Sequence, residues 1–168
     1  MEIERKFLIS KDMLPKELAD YKKNELEQAY LITEPVLRIR RKNDEYILTY
    51  KSTGLMSREE IEMPLTKEAY EKLLTKTDGN VISKTRYLIP EKDGLTIELD
   101  VFHKTFEGLL LAEVEFDSEE SAASYTPPKW FGKDVTMENT YHNSTLSLLD
   151  DKGIEKLLSS LIVSDCDV

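Results

Sequence analysis

A chain of 168 residues lies in the single-domain range and can bury a core without disulfide staples, and its one cysteine, Cys166, excludes an intramolecular disulfide and a cysteine-based metal site. With 33% charged and 40% apolar residues, a formal charge of −10 and a pI near 4.8, the composition is that of a water-soluble protein and excludes a free-standing nucleic-acid binder, which would present a net basic face. Met1 to Ser10 has no apolar stretch of signal-peptide length and no run approaches the ~18 apolar residues of a membrane span, so the expectation is a cytoplasmic location with no membrane partner.

In chain order, Glu2 to Ile9 alternates charged and apolar residues and is predicted as a strand. Leu14 to Asn24 has Leu14, Leu18 and Tyr21 at helical spacing and is predicted as a helix. Four strands follow, Glu25 to Thr33, Val36 to Lys42, Glu45 to Ser52 and Ser57 to Met63, with turn signals at Asn43-Asp44 and Thr53-Gly54. Thr66 is an N-cap for a helix over Lys67 to Lys76, where Ala69, Leu73 and Leu74 share a stripe. Asp78-Gly79 reads as a turn. Strands are then predicted at Val81 to Ile89, Leu95 to Lys104 and Gly108 to Phe116, with Asp93-Gly94 turning between the first two. Ser118 opens a short helix through Ser124, which Pro127-Pro128 stops. Leu146, Leu149, Ile154, Leu157, Leu158 and Leu161 keep helical spacing, interrupted around Asp150 to Gly153, in a tail at about 144–163. No repeat, linker or boundary divides the chain, so one domain over 1–168 is expected.

Residues two apart on a strand share a face. Glu2, Glu4 and Lys6 therefore point together, as do Arg38 with Arg40, Glu60 with Glu62, Lys84 with Arg86, Glu98 with Asp100, and Glu113 with Glu115, while Lys51 ends another strand. One such pair would be an ordinary solvated face; six are not, because like charges on an exposed face repel and bring the fold nothing. Amphipathic helices also need apolar sheet surface to cover. Both features fit an inverted barrel, with charged faces toward the lumen and apolar faces outward under the helices; about eight strands can enclose one small ligand. The lining would hold eight acids (Glu2, Glu4, Glu60, Glu62, Glu98, Asp100, Glu113, Glu115) and six bases (Lys6, Arg38, Arg40, Lys51, Lys84, Arg86). Unpaired burial of these charges is prohibitive, so the lumen must hold water, ions and ligand. Carboxylates without cysteine select magnesium, manganese or calcium, and arginine and lysine suit phosphate oxygens.

The opening Glu2-Ile3-Glu4-Arg5-Lys6 matches the E-x-E-x-K signature of CYTH proteins, also called triphosphate tunnel metalloenzymes. In the family's order follow Arg38-Ile39-Arg40, Thr49-Tyr50-Lys51, Glu60-Ile61-Glu62, Lys84-Thr85-Arg86, Glu98-Leu99-Asp100, Ala112-Glu113-Val114-Glu115-Phe116, Val135-Thr136 and Tyr141-His142-Asn143-Ser144. Thr140 stands where short bacterial members commonly carry an arginine, a departure that bears on a late basic contact to the substrate. The resemblance implies an α+β, mainly antiparallel fold: a closed eight-stranded tunnel with a charged lumen and helices packed outside. It implies that Glu2, Glu4, Asp100, Glu113 and Glu115 ligate one or two magnesium or manganese ions. Lys6, Arg38, Arg40, Lys51, Lys84 and Arg86 would hold the phosphates. Glu60, Glu62 and Glu98 would stand behind them, orienting the bases or a water. The two sets of ligands together would form the catalytic machinery of an inorganic triphosphatase, with nucleoside triphosphates as further substrates and a monomer or homodimer as the working form. Adenylyl cyclase of the family's class IV type, thiamine triphosphatase and a non-catalytic polyphosphate-binding module are the alternatives; the full acidic set argues against the last.

Other residues have plainer readings. His103 and His142 read as structural histidines, Tyr30, Tyr50 and Tyr87 as strand packing, and Trp130 as a loop anchor.

Overall fold

The computed structural model describes residues 3–53 and 59–166. Eight strands, β1 Glu4–Leu8, β2 Lys22–Thr33, β3 Val36–Lys42, β4 Glu45–Lys51, β5 Glu60–Pro64, β6 Asp78–Pro90, β7 Thr96–His103 and β8 Leu110–Glu115, form one antiparallel sheet in the order β1-β8-β7-β6-β2-β3-β4-β5. The sheet curls until β1 and β5, its two ends in the ladder, line the same cavity. Among the described residues no ladder joins these two strands, so the tunnel is a curled sheet rather than a barrel hydrogen-bonded all the way round. Asn43, at φ 54°, makes the tight β3–β4 turn in the left-handed region that asparagine tolerates.

The apolar rows face outward, as the alternation requires. Ala29 and Ile39 pack with Leu48 under Tyr70, Leu73 and Leu74 of helix α1, Lys67–Leu74. Thr66 caps α1 by accepting from the Ala69 amide at 3.1 Å. Phe7, Leu99, Ala112 and Val114 are covered by Leu14, Leu18, Tyr21, Tyr125 and Phe131. The short helix α2, Glu119–Ser124, has Ser118 as its cap.

The inward rows are charged at one end only. Along β6 the row runs Arg86, Lys84, Ile82; along β7 Glu98, Asp100, Phe102; along β8 Glu115, Glu113, Leu111. Ile82, Phe102 and Leu111 join Tyr141, Leu146 and Leu157 in one buried cluster, to which helices α3, Asn143–Leu148, and α4, Asp151–Cys166, contribute. These two helices therefore plug an end of the tunnel, whereas α1 packs outside it. Asn80 of β6 fixes the plug, donating to the carbonyls of Leu146 at 3.0 Å and Leu149 at 2.8 Å.

Three expectations need correction. Leu14 to Asn24 is not a helix: 3-10 turns occupy Lys11–Met13 and Leu18–Asp20, and β2 already begins at Lys22. Pro15 holds Leu14 extended, at ψ 142°, which keeps Leu14 out of any helix. Asp78-Gly79 opens β6 instead of turning before it, beside a register shift in the β2–β6 ladder. A Cβ on Gly79, at φ +79°, would collide with the Ser147 carbonyl oxygen, so glycine is the residue that lets the plug approach the strand. The tail breaks between Leu148 and Asp151, earlier than the spacing suggested. The Thr53-Gly54 turn and the start of the strand predicted from Ser57 fall largely on residues 54–58, outside the described residues.

Candidate active site

The mouth half of the tunnel is a cavity of about 570 Å³, a size suited to a small molecule. Of the charged residues expected to line it, Glu4, Lys6, Arg38, Arg40, Lys51, Glu60, Glu62, Arg86, Glu98, Glu113 and Glu115 do so. Glu2 lies outside the described residues. Lys84 and Asp100 sit beneath the lining, each 1% exposed.

The walls differ in how their charges are balanced. On the β1-β8-β7-β6 wall, acids and bases are paired: Lys6 with Glu113 at 3.3 Å, Arg86 with Glu98 at 2.7 Å, and Arg86 with Glu113 at 3.8 Å. Lys51 on β4 lies 4.0 Å from Glu60 on β5. On β3 the two lining arginines, Arg38 and Arg40, have no carboxylate within ion-pair distance among the described residues. Burial, with Arg38 and Arg86 adding repulsion, pulls the Arg40 guanidinium down to about 10. Arg86 behaves in the opposite way: burial opposes its charge, but Asp100, Glu98 and Glu113 hold it above the ordinary arginine value. The β3 wall thus presents cationic charge that lacks a counter-charge, which a bound anion would supply.

Below the cavity, Asp100 accepts from Lys84 Nζ at 2.7 Å and from Arg86 through both oxygens, at 2.7 and 2.9 Å. Burial alone would raise the Asp100 carboxyl; Lys84 and Arg86 outweigh it and hold it down to about 2. Lys84 also lies 5.2 Å from the Phe102 ring centroid and 3.4 Å from Asn143 Oδ1. This group joins the charged half of the tunnel to its apolar plug and fixes Arg86 in place.

Glu4 and Glu115 face each other across β1 and β8, and Glu113 faces Glu98 across β8 and β7. Directly opposed positions bring Cβ atoms to about 5 Å, so these four acids make one continuous patch over three strands. Burial raises the Glu98 carboxyl, and Glu113, Asp100 and Glu115 push the same way while Arg86 opposes them. Such crowding of hard oxygens fits a divalent cation of the magnesium or manganese type. As the side chains stand, no three metal-binding groups converge on one point among the described residues. The patch supplies the donor chemistry, and ligation would draw its side chains together.

Several residues in or behind the lining escaped the sequence reading. Gln28 is wholly buried, and its Oε1 accepts from Arg40 Nε at 3.0 Å and NH2 at 2.8 Å. Gln28 Nε2, Arg38 Nε and Thr49 Oγ1 are buried with no hydrogen-bond partner among the described residues, and register pairs Gln28 with Arg40 and Arg38 with Thr49. Tyr30 faces the cavity, and so do His142, Asn143 and Ser144 at the entry to α3. His142 is held below its ordinary value by burial and then by Lys6. The two-residue spacing of like charges carries no signal for a neutral amide or for a loop that crosses the tunnel. His103 is remote from the cavity, bonded through Nε2 to Thr85 Oγ1 at 2.7 Å.

Comparison with known proteins agrees with this architecture. The chain is 41% identical over 150 residues to a Nitrosomonas europaea protein named inorganic triphosphatase, covering 88% of this chain and 97% of that one. A second inorganic triphosphatase, from Acetivibrio thermocellus, is 39% identical over 150 residues, with 86% and 92% covered. A crystal structure of an inorganic triphosphatase superposes with a TM-score of 0.75 at 38% identity, covering 89% of this chain and 96% of that one. A Hippeastrum adenylyl cyclase homologue described as having a dominant triphosphatase activity shares the fold alone, at a TM-score of 0.50 and 18% identity, over 73% and 83% of the two chains. No helix among the described residues is long and apolar enough to cross a membrane. The family model described as CYTH domain matches residues 1–151, and the chain belongs to that family.

Proposed function

We propose that the chain is a divalent-metal-dependent hydrolase of triphosphate substrates, acting first on inorganic tripolyphosphate, which it cuts to pyrophosphate and phosphate, and second on nucleoside triphosphates. The observation that carries this reading is the polarised cavity: a β3 wall of arginines without counter-charge faces a wall of crowded carboxylates. The two relatives named inorganic triphosphatase support it.

One or two magnesium or manganese ions would be held by Glu4, Glu113 and Glu115, and the family signature assigns Glu2 to the same set. When bound, such an ion supplies Lewis-acid polarisation of phosphate oxygens and lowers the charge of the acidic wall. Arg38 and Arg40 would bind the triphosphate through planar, charge-assisted hydrogen bonds. Lys6 and Lys51 add point charges at the opposite wall and near the mouth. Arg86, locked by Asp100 and Glu98, offers a fixed cation toward charge that builds on the leaving pyrophosphate. Asp100 and Lys84 act by holding Arg86, since both Asp100 oxygens are already engaged. Glu60 would orient Lys51, and Glu62 the same side of the mouth.

A phosphate-release screen over tripolyphosphate, pyrophosphate, ATP and thiamine triphosphate, with magnesium or manganese and with cyclic nucleotide measured alongside, tests the proposal. Fastest release from tripolyphosphate is expected. Cyclic nucleotide from ATP without phosphate release from tripolyphosphate would overturn it.

A further inference from the structure

We propose that Gln28 is a positioning residue, whose neutral amide aims Arg40 into the cavity while leaving the guanidinium's charge free for the substrate. The proposal rests on the anion-binding part of the function above, and its test does not need turnover.

Three observations point to it. Gln28 is fully buried, on the inward row of β2 opposite Arg40 of β3. Its Oε1 takes two guanidinium donors, Nε at 3.0 Å and NH2 at 2.8 Å, which fixes the plane of the group and leaves its remaining N–H edge toward the lumen. Its Nε2 has no partner among the described residues, so the amide is not there to satisfy itself; a buried amide with an orphaned nitrogen is an unfavourable choice for stability alone.

The tunnel holds a direct contrast. Arg86 is oriented by the carboxylate of Asp100, which fixes it equally well but already supplies it with a counter-charge, so Arg86 keeps its positive charge while part of that charge is spent inside the protein. A glutamate at position 28 would fit the same space, make the same fork and supply Arg40 with a counter-charge in the same way. With the amide instead, Arg40 stays charged, is depressed by burial and by neighbouring Arg38 and Arg86, and gains a counter-charge only when an anion arrives. Orientation and charge are thereby separated, which a carboxylate cannot do.

The test uses Gln28→Glu and Gln28→Met, with pyrophosphate as the probe and calorimetry in the presence of magnesium. Gln28→Glu should keep or raise the thermal midpoint yet weaken pyrophosphate binding about tenfold or more, the loss expected when a charge-assisted contact is neutralised. It should raise KM for tripolyphosphate more than it lowers kcat. A purely structural glutamine would give parental affinity in the folded Gln28→Glu protein, and that result would overturn the proposal. Should that variant not fold, Gln28→Met, which keeps volume and charge but not the fork, still has to lose affinity several-fold; parental affinity would overturn the proposal. In an Arg40→Ala background Gln28→Met should cost nothing further, because the two residues act as one unit. An additive loss there would show Gln28 acting without Arg40. A parent that binds pyrophosphate but does not release phosphate from tripolyphosphate would count against the hydrolase reading and leave this comparison intact.

Discussion

Asp100→Asn removes the counter-charge from the buried group beneath the cavity without changing side-chain volume. In the parent, Asp100 accepts three hydrogen bonds of 2.7 to 2.9 Å from Lys84 and Arg86, and both Asp100 and Lys84 are 1% exposed. Asparagine turns one acceptor into a donor that faces other donors, and Lys84 is left buried with no anion in contact. Breaking one side of a buried pair costs about 3–5 kcal/mol. Part of that cost depends on pH. Lys84 and Arg86 hold the Asp100 carboxyl down from its ordinary 3.8 to about 2, a difference worth on the order of 2 kcal/mol. Because the folded value lies below the unfolded one, this contribution is present above about pH 4 and is lost as pH falls through about 2. Urea unfolding followed by circular dichroism, on parent and variant from pH 7 to pH 2, reads the difference directly. A gap of about 3–5 kcal/mol at pH 7 that narrows by roughly 2 kcal/mol near pH 2 is expected. A gap that stays constant below pH 4.5 would refute the assignment of Asp100 as the charge partner of Lys84 and Arg86.

Glu4→Gln and Glu115→Gln should each abolish most hydrolysis while the circular dichroism spectrum stays parental, because they alter a lining rather than a core; near-normal turnover in both would remove them from the metal-holding set. Arg38→Ala and Arg40→Ala should weaken triphosphate binding about tenfold each and leave magnesium affinity equal or improved, as measured by calorimetry with metal alone and then with a slowly hydrolysed analogue. The described lining carries six carboxylates and five bases, so analogue affinity should rise steeply with metal; equal affinity with and without it would contradict the site. Gly79→Ala should destabilise the fold by about 1–3 kcal/mol, through a positive φ and a clash with Ser147, visible as a lowered thermal midpoint.

The sheet was legible because a strand's period of two is carried by every residue in it: Glu113-Val114-Glu115 announces both its faces. The same rule failed where another force sets the conformation. Leu14, Leu18 and Tyr21 keep helical spacing, yet they reach the core from two 3-10 turns and the residues that end them, on either side of Pro15. Charge alternation also overstated the lumen, since it could not show that the inward rows end at Ile82, Phe102 and Leu111 under a helical plug. Lys84 and Asp100 fall on the correct face but at this boundary, so their burial follows from their depth along the tunnel, which spacing does not encode. Gln28 and His142 come to the site by position alone, and a single neutral residue leaves no pattern.

The strand order separates the two halves of the site in folding time. Arg38 and Arg40 lie in the β3–β4 hairpin, whose ladder joins neighbouring residues across the Asn43 turn, so this half can assemble from local contacts early. The acidic patch needs β1 to dock on β8, the first and last strands in sequence, and so waits for the longest-range pairing in the sheet. A nascent or partly unfolded chain can therefore present arginines that attract phosphate before it has anywhere to put a cation. Metal affinity would report completion of the fold, and anion affinity would not.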